Sequence, residues 1–149
     1  MNVLLSINPE YAEAIFSGQK KYEFRRTIFK NKEVATIYLY ANSSVKRIVG
    51  CFDVGKIYEE APSKIWKCFN EHAGISQEAF FQYFEGCKRG YAIEIVNARV
   101  SNPHTNPYKL LEGFTPPQSF CYLSEEQVRI LESKIKAKSK DKKEVKKAA

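Results

Sequence analysis

A lysine, a glutamate and an arginine stand close together at Lys20, Glu23 and Arg25, in the run Gly18-Gln19-Lys20-Lys21-Tyr22-Glu23-Phe24-Arg25-Arg26. The two cations suit phosphate, and the planar guanidinium is the better two-pronged donor. Ionised Glu23 is acceptor-only. It can hold Arg25 in position, accept from the amino group of a base, or take a proton as a general base. The chemistry on offer is recognition of a phosphate ester, with or without its cleavage. The plainer use of the same residues is a Glu–Arg pair bracing a strand.

Local signals say how these groups are carried. Asn8 is a good N-cap, Pro9 suits the first helical position, and Gly18 can take the left-handed conformation that ends a helix. A helix over 8–17 is expected. If 20–26 is then extended, Lys20, Tyr22, Phe24 and Arg26 share one face and Lys21, Glu23 and Arg25 the other, so Glu23 and Arg25 are same-side neighbours.

Gly18-x-Lys20-x-x-Glu23-x-Arg25 resembles the G-x-K-x-x-E-x-R signature of the ASCH domain (activating signal cointegrator homology), a relative of the PUA RNA-binding fold. Further blocks resemble the small prokaryotic branch of that family in the same order. They are Leu5-Ser6-Ile7-Asn8-Pro9-Glu10-Tyr11, Ile37-Tyr38-Leu39-Tyr40-Ala41 with Val45-Lys46-Arg47-Ile48-Val49-Gly50, Gly90-Tyr91-Ala92-Ile93-Glu94-Ile95, and Pro116-Pro117-Gln118-Ser119-Phe120. The resemblance implies an α+β chain folded as a small PUA-like β-barrel with peripheral helices. It also implies a cleft lined by Lys20, Glu23 and Arg25 that accepts RNA, single-stranded by expectation, or a nucleotide-like ligand. Gln118 and Ser119, held by a proline-stiffened loop, join the binding set, as do Tyr40 and Lys46.

The resemblance implies a second use. Some bacterial members are ribonucleases that depend on a Tyr, a Lys six residues on and a distant Ser, and Tyr40, Lys46 and Ser119 stand at similar positions. Cleavage of RNA without a metal needs a base for the 2′-hydroxyl and a cation for the phosphorane charge, which Lys46 can supply. A binding module needs no cofactor, and a divalent metal enters only under the ribonuclease reading. Another branch, the acetylcytidine amidohydrolases, places a Thr where this chain has Glu23. Thr27 is four residues further on, so that nucleophile is not in its place.

With 149 residues, 44% hydrophobic and 13% aromatic, the chain can bury one core, and one domain over 1–133 is expected. The net charge of +7 is uneven: residues 134–149 hold eight lysines against Asp141 and Glu144, whereas 1–133 hold 16 basic against 15 acidic residues. Bulk attraction to nucleic acid therefore belongs to a lysine-rich tail expected to be disordered or a frayed helix. The near-neutral remainder needs a local basic cleft. Cys51, Cys68, Cys87 and Cys121 are dispersed, with no C-x-x-C pair and no secretory leader, which predicts reduced thiols in a cytosol. Cys68 and His72 are spaced to share a helix face, but no matching pair completes a zinc site. No run is long enough to span a membrane.

Residues 2–7, 35–41 and 91–100 read as strands, with Ile37 and Leu39 facing one way and Tyr38 and Tyr40 the other, where the tyrosines could stack on an unpaired base. Arg47–Tyr58 reads as a strand or strand pair bent at Gly50 and Gly55. Pro62–Phe69 and Ser76–Phe84 read as helices, outwardly like a helix-turn-helix. The second is acidic and aromatic, a poor reader of DNA and a better packing insertion. Four prolines make 101–118 loop-rich, with a short turn at Tyr108–Leu111. Phe120–Leu123 is a last strand, and Ser124 with Gln127 matches a capping box opening a helix to about Lys134.

Overall fold

The computed structural model describes residues 1–135, so all but the first two positions of the lysine-rich tail lie outside the described residues. In chain order the elements are β1 (Asn2–Ile7), α1 (Pro9–Ser17), β2 (Tyr22–Arg25), β3 (Thr36–Ala41), β4 (Arg47–Glu60), α2 (Pro62–Phe69), a 3₁₀ turn at Asn70–His72, and α3 (Gln77–Tyr83). Then come β5 (Gly90–Thr105), α4 (Pro107–Leu110), β6 (Phe120–Leu123) and a helix, α5, over 125–135. The six strands form one sheet in the order β2-β5-β4-β3-β1-β6. Only β1 and β3 run parallel among these neighbours.

The sheet curls because its long central pair is irregular. The β4–β5 ladder shifts register between Ile48 and Gly50, Cys51 and Asp53, and Val54 and Ile57, and each unpaired residue adds bend and twist. Gly50 sits where a Cβ would overlap the Arg99 carbonyl oxygen and the Phe16 ring, so only glycine allows that close approach. The curl brings the two edge strands, β2 and β6, towards each other without a ladder between them. The segment after β2 crosses this seam: Phe29 is buried and meets the Phe120 ring edge-on, and the Tyr122 hydroxyl accepts from the amides of Lys30 and Asn31.

Both faces of β3 are buried, against different layers. Ile37, Leu39 and Ala41 pack with Ala12 and Ile15 of α1, while Tyr38 and Tyr40 pack with Leu111, Leu131 and Ile135 beneath the C-terminal segment. The stacking face expected for the two tyrosines is therefore interior, because α4 and α5 cover it. A third cluster holds Phe24, Ile65, Phe80, Phe84 and Ala92. It fixes the α2–α3 insertion to β2 and β5, and full burial of a ring such as Phe80 contributes about 2–3 kcal/mol. The aromatic side of α3 belongs to this core and not to a DNA groove.

Local chemistry explains most element ends. Gly18 is left-handed at φ 87°, and Ser124 and Gln127 form the reciprocal capping box, with bonds of 2.9 and 3.1 Å. Two expectations are corrected. Asn8 is the N-cap of α1 by position, yet its side chain makes no cap bond. The region after Val100 is not loop from 101 onward: β5 continues to Thr105, which pairs with Ile48. Pro103 falls where the register shifts, between the Val100–Gly50 and Thr105–Ile48 pairs, the kind of irregularity in which a strand accommodates proline.

Candidate nucleic-acid interface

Lys20 does not take its place on the strand. The chain from Gly18 to Lys21 is held in a turn, Lys20 N donating to the Ala14 carbonyl and Lys21 N to that of His72, and β2 starts only at Tyr22. The expected opposition of Lys20 and Glu23 across an extended segment is thereby replaced by contact. Lys20 Nζ lies 3.5 Å from Glu23 Oε1 and donates to the Ala73 carbonyl at 2.9 Å, over the Phe24 ring. Only 3% of Lys20 is exposed. Burial pushes its ammonium below the usual lysine range, and Glu23 pulls it partly back.

Glu23 and Arg25 are same-side neighbours on β2, with Arg25 Nη1 3.2 Å from Glu23 Oε2. Arg25 also reaches across the seam. Its Nη1 donates to the Ser6 carbonyl at 3.4 Å and its Nη2 to Ser119 Oγ at 2.6 Å. Ser6 fixes the far wall: its amide donates to the Ser119 carbonyl and its hydroxyl to the Pro117 carbonyl at 2.6 Å. Lys20, Glu23, Arg25 and Ser119 thus converge, and Gln118 stands exposed beside them.

Lys20, Glu23 and Arg25 border a half-open cleft of about 200 Å³, whose walls include Asn8, Tyr11, Phe24, Ile75 and Tyr83, whereas Ser119 meets it only through its bond to Arg25 and Gln118 is not among its walls. Burial, with Glu10 and Glu23 adding to it, raises the Tyr11 phenol above its usual range. Ile75 and Tyr83 belong to the α2–α3 insertion, which also supplies the carbonyl that holds Lys20. None of Asn8, Tyr11, Ile75 and Tyr83 is flagged by the signature. Asn8 and Tyr11 stand in a quoted block, but their sequence signal was a helix start and a core position.

Tyr40 and Lys46 do not line this cleft. The Tyr40 hydroxyl is 2.7 Å from that of Tyr108, a partner with no sequence signal. Burial and the bond to Tyr108 push the Tyr40 phenol up to about 12, against a smaller opposing pull from Arg47. Lys46 is exposed in the turn between β3 and β4, in a left-handed conformation at φ 53°. The sheet still relates the two regions, because Ser6 pairs with Tyr40 on one side and bonds to Ser119 on the other. Among the described residues no three His, Cys, Asp or Glu side chains gather as a metal site, and no helix is long and apolar enough to cross a membrane.

A curled six-stranded sheet with peripheral helices and a charged cleft at its seam defines a mixed α+β fold of the PUA-like class. Within that class the chain belongs to the ASCH domain family, whose sequence profile matches residues 5–105. It is 32% identical over 133 residues to an ASCH domain-containing ribonuclease of Zymomonas mobilis, covering 87% of this chain and 89% of that one. The crystal structure of ASCH from Zymomonas mobilis is similar with a TM-score of 0.82 at 30% identity, over 89% of this chain and 94% of that chain. Its variants with a tyrosine changed to phenylalanine and a serine to alanine match equally well, at 0.82. Large ribosomal subunit protein uL22 of Ureaplasma parvum is 29% identical over 124 residues, which span 81% of this chain and 39% of that protein.

Proposed function

We propose that this chain binds RNA, as a single strand, in the cleft of Lys20, Glu23 and Arg25, and that it does so in the cytosol. The observation that carries the reading is the junction of the signature with Ser119: two distant polar segments meet at a seam the described strands leave unpaired, around two cations and one carboxylate. Double-stranded nucleic acid presents its bases inward, whereas a half-open cleft of this size suits a splayed nucleotide. A free nucleotide would use the same groups and is the competing ligand.

A second reading, ribonuclease activity, is favoured by the name and the 32% identity of the Zymomonas mobilis relative. In that reading Lys46 supplies charge to the phosphorane, and Ser119 and Tyr40 position the scissile segment. A phenol held at about 12 is not a base at neutral pH, so Tyr40 would act as a hydrogen-bond donor or a brace. The position that carries Thr in the amidohydrolase branch holds Glu23, buried between Lys20 and Arg25, which supports neither a hydroxyl nucleophile nor that reaction.

The experiment is to incubate the purified chain with mixed RNA, with and without EDTA, and follow retention and fragment length together. Retention without cleavage supports the binding module. Cleavage that survives EDTA supports metal-free ribonuclease action, and cleavage lost in EDTA brings in a divalent metal. Neither retention nor cleavage at low salt would overturn both readings.

A further inference from the structure

We propose that the cleft is a pocket for one unstacked nucleobase bearing an amino group, read at its edge by Asn8 and Glu23, with the adjoining phosphate on Arg26; this deepens, and rests on, the RNA reading above. Asn8 carries the first part. Asparagine at an N-cap ordinarily accepts from an amide of the first helical turn, but here the carboxamide makes no such bond, is exposed, and borders the cleft. It is left with two N–H donors and a carbonyl acceptor facing solvent at the mouth of a site.

Glu23 sets the sign of the selectivity. Each carboxylate oxygen has one cation, Lys20 on Oε1 and Arg25 on Oε2, and retains acceptor capacity. A carboxylate accepts from the amino group of adenine, cytosine or guanine. It repels the carbonyl oxygen that uracil presents at the equivalent position. The cleft, at about 200 Å³, is smaller than the ~300–1,000 Å³ of pockets for drug-sized ligands, which fits one base and excludes a base pair.

Arg26 supplies the anchor that Arg25 does not. The Arg25 guanidinium is committed to Glu23, Ser6 and Ser119. Arg26 is exposed, is in no ion pair among the described residues, and its guanidinium lies 4.9 Å from the centre of the Tyr83 ring. Its backbone amide donates to the Tyr83 hydroxyl at 3.2 Å, so the same tyrosine that walls the cleft also positions the arginine beside it.

The test measures binding of oligo(rA), oligo(rC) and oligo(rU) of equal length by fluorescence anisotropy, with the parent and with Asn8→Ala and Arg26→Ala. The parent is expected to bind oligo(rA) and oligo(rC) roughly tenfold more tightly than oligo(rU). Asn8→Ala should shrink that ratio, and Arg26→Ala should weaken all three alike while lowering the salt slope by about one phosphate contact. Asn8 makes no side-chain bond among the described residues, so its variant should melt with the parent. Equal affinities, a preference for oligo(rU), or selectivity unchanged in Asn8→Ala would overturn the base pocket and leave RNA binding standing. No binding of any oligonucleotide by the parent overturns the pocket together with the RNA reading.

Discussion

Arg25 and Ser119 are 94 residues apart in sequence and 2.6 Å apart at Nη2 and Oγ, across a gap between β2 and β6 that no backbone ladder closes among the described residues. The pair does two things at once. It ties β2 to the approach of β6, and it fixes an arginine at the edge of the cleft. The family signature is therefore partly a structural clasp, and loss of binding in an Arg25 variant has to be read beside its stability.

Ser119→Ala should cost about 1–2 kcal/mol, because it removes a charge-assisted hydrogen bond from a partly buried guanidinium. Arg25→Ala should cost more, about 2–4 kcal/mol, because it also leaves Glu23 with a single cation in a buried position. Urea denaturation of the two variants and the double variant checks this. A double variant equal to the sum of the singles would show that the two side chains do not act as a pair.

Gly74 is where the α2–α3 insertion meets Lys20. It has φ +61°, and an added Cβ would overlap the Cβ of Lys20, whereas Gly18 has φ +87° with nothing near a new Cβ. Gly74→Ala is therefore expected to be the more destabilising, by about 1–3 kcal/mol beyond the backbone cost that both share. It should also displace the Lys20 amine from the Ala73 carbonyl and weaken RNA retention. Equal melting temperatures for Gly74→Ala and Gly18→Ala would contradict this placement.

What could be read from the sequence follows the range of the interactions. Helix α2 and the Ser124–Gln127 cap were legible because a proline at the first helical position and a capping box are decided within a few residues. The end of β5 was not, since Thr105 is in the sheet only because Ile48 lies beside it. The site divides in the same way. Glu23 and Arg25 follow from strand alternation, whereas Lys20 is placed by carbonyls of His72 and Ala73, more than fifty residues further on. Tyr83 and Tyr108 gave no signal because their roles exist only once the insertion and α4 have packed. Tyr38 and Tyr40 looked available because a strand shows two faces, and nothing local announces that α5 will cover the second.

The phenols of Tyr38 and Tyr40 both titrate at about 12, pushed up chiefly by burial, against a usual value of 10.0. Between those values the unfolded chain has lost protons that the fold still holds, so stability should fall as pH rises from 10 to 12. Buried Lys20 acts in the opposite sense. Its folded value is lowered, so its contribution rises as pH climbs through that value towards 10.5. Tyr40→Phe should lose about 1 kcal/mol at neutral pH with the Tyr108 bond, and its alkaline fall should be shallower than the parent's. Ultraviolet titration of the phenols alongside urea unfolding at several pH values measures both. Ionisation of every tyrosine near pH 10 in the folded protein would contradict the burial of this pair.

Lys46 separates binding from catalysis because it is exposed and in no ion pair among the described residues, so changing it should leave the fold intact. Its left-handed backbone adds a practical point. Lys46→Gly relieves φ 53° as it removes the charge, whereas Lys46→Ala keeps the strain, and agreement between the two isolates the amine. If the chain cleaves RNA, both variants should lower the cleavage rate by far more than they lower affinity, since the charge is needed mainly as the phosphorane forms. Arg25→Ala should instead weaken retention. If the chain only binds, both Lys46 variants should change affinity by no more than the loss of one phosphate contact, with a matching decrease in salt slope of about one, and no fragments should appear. Single-turnover cleavage and equilibrium retention measured on the same RNA decide between these outcomes. A parent that cleaves while Lys46→Ala and Lys46→Gly cleave at its rate would remove Lys46 from the chemistry and return attention to the Arg25 seam.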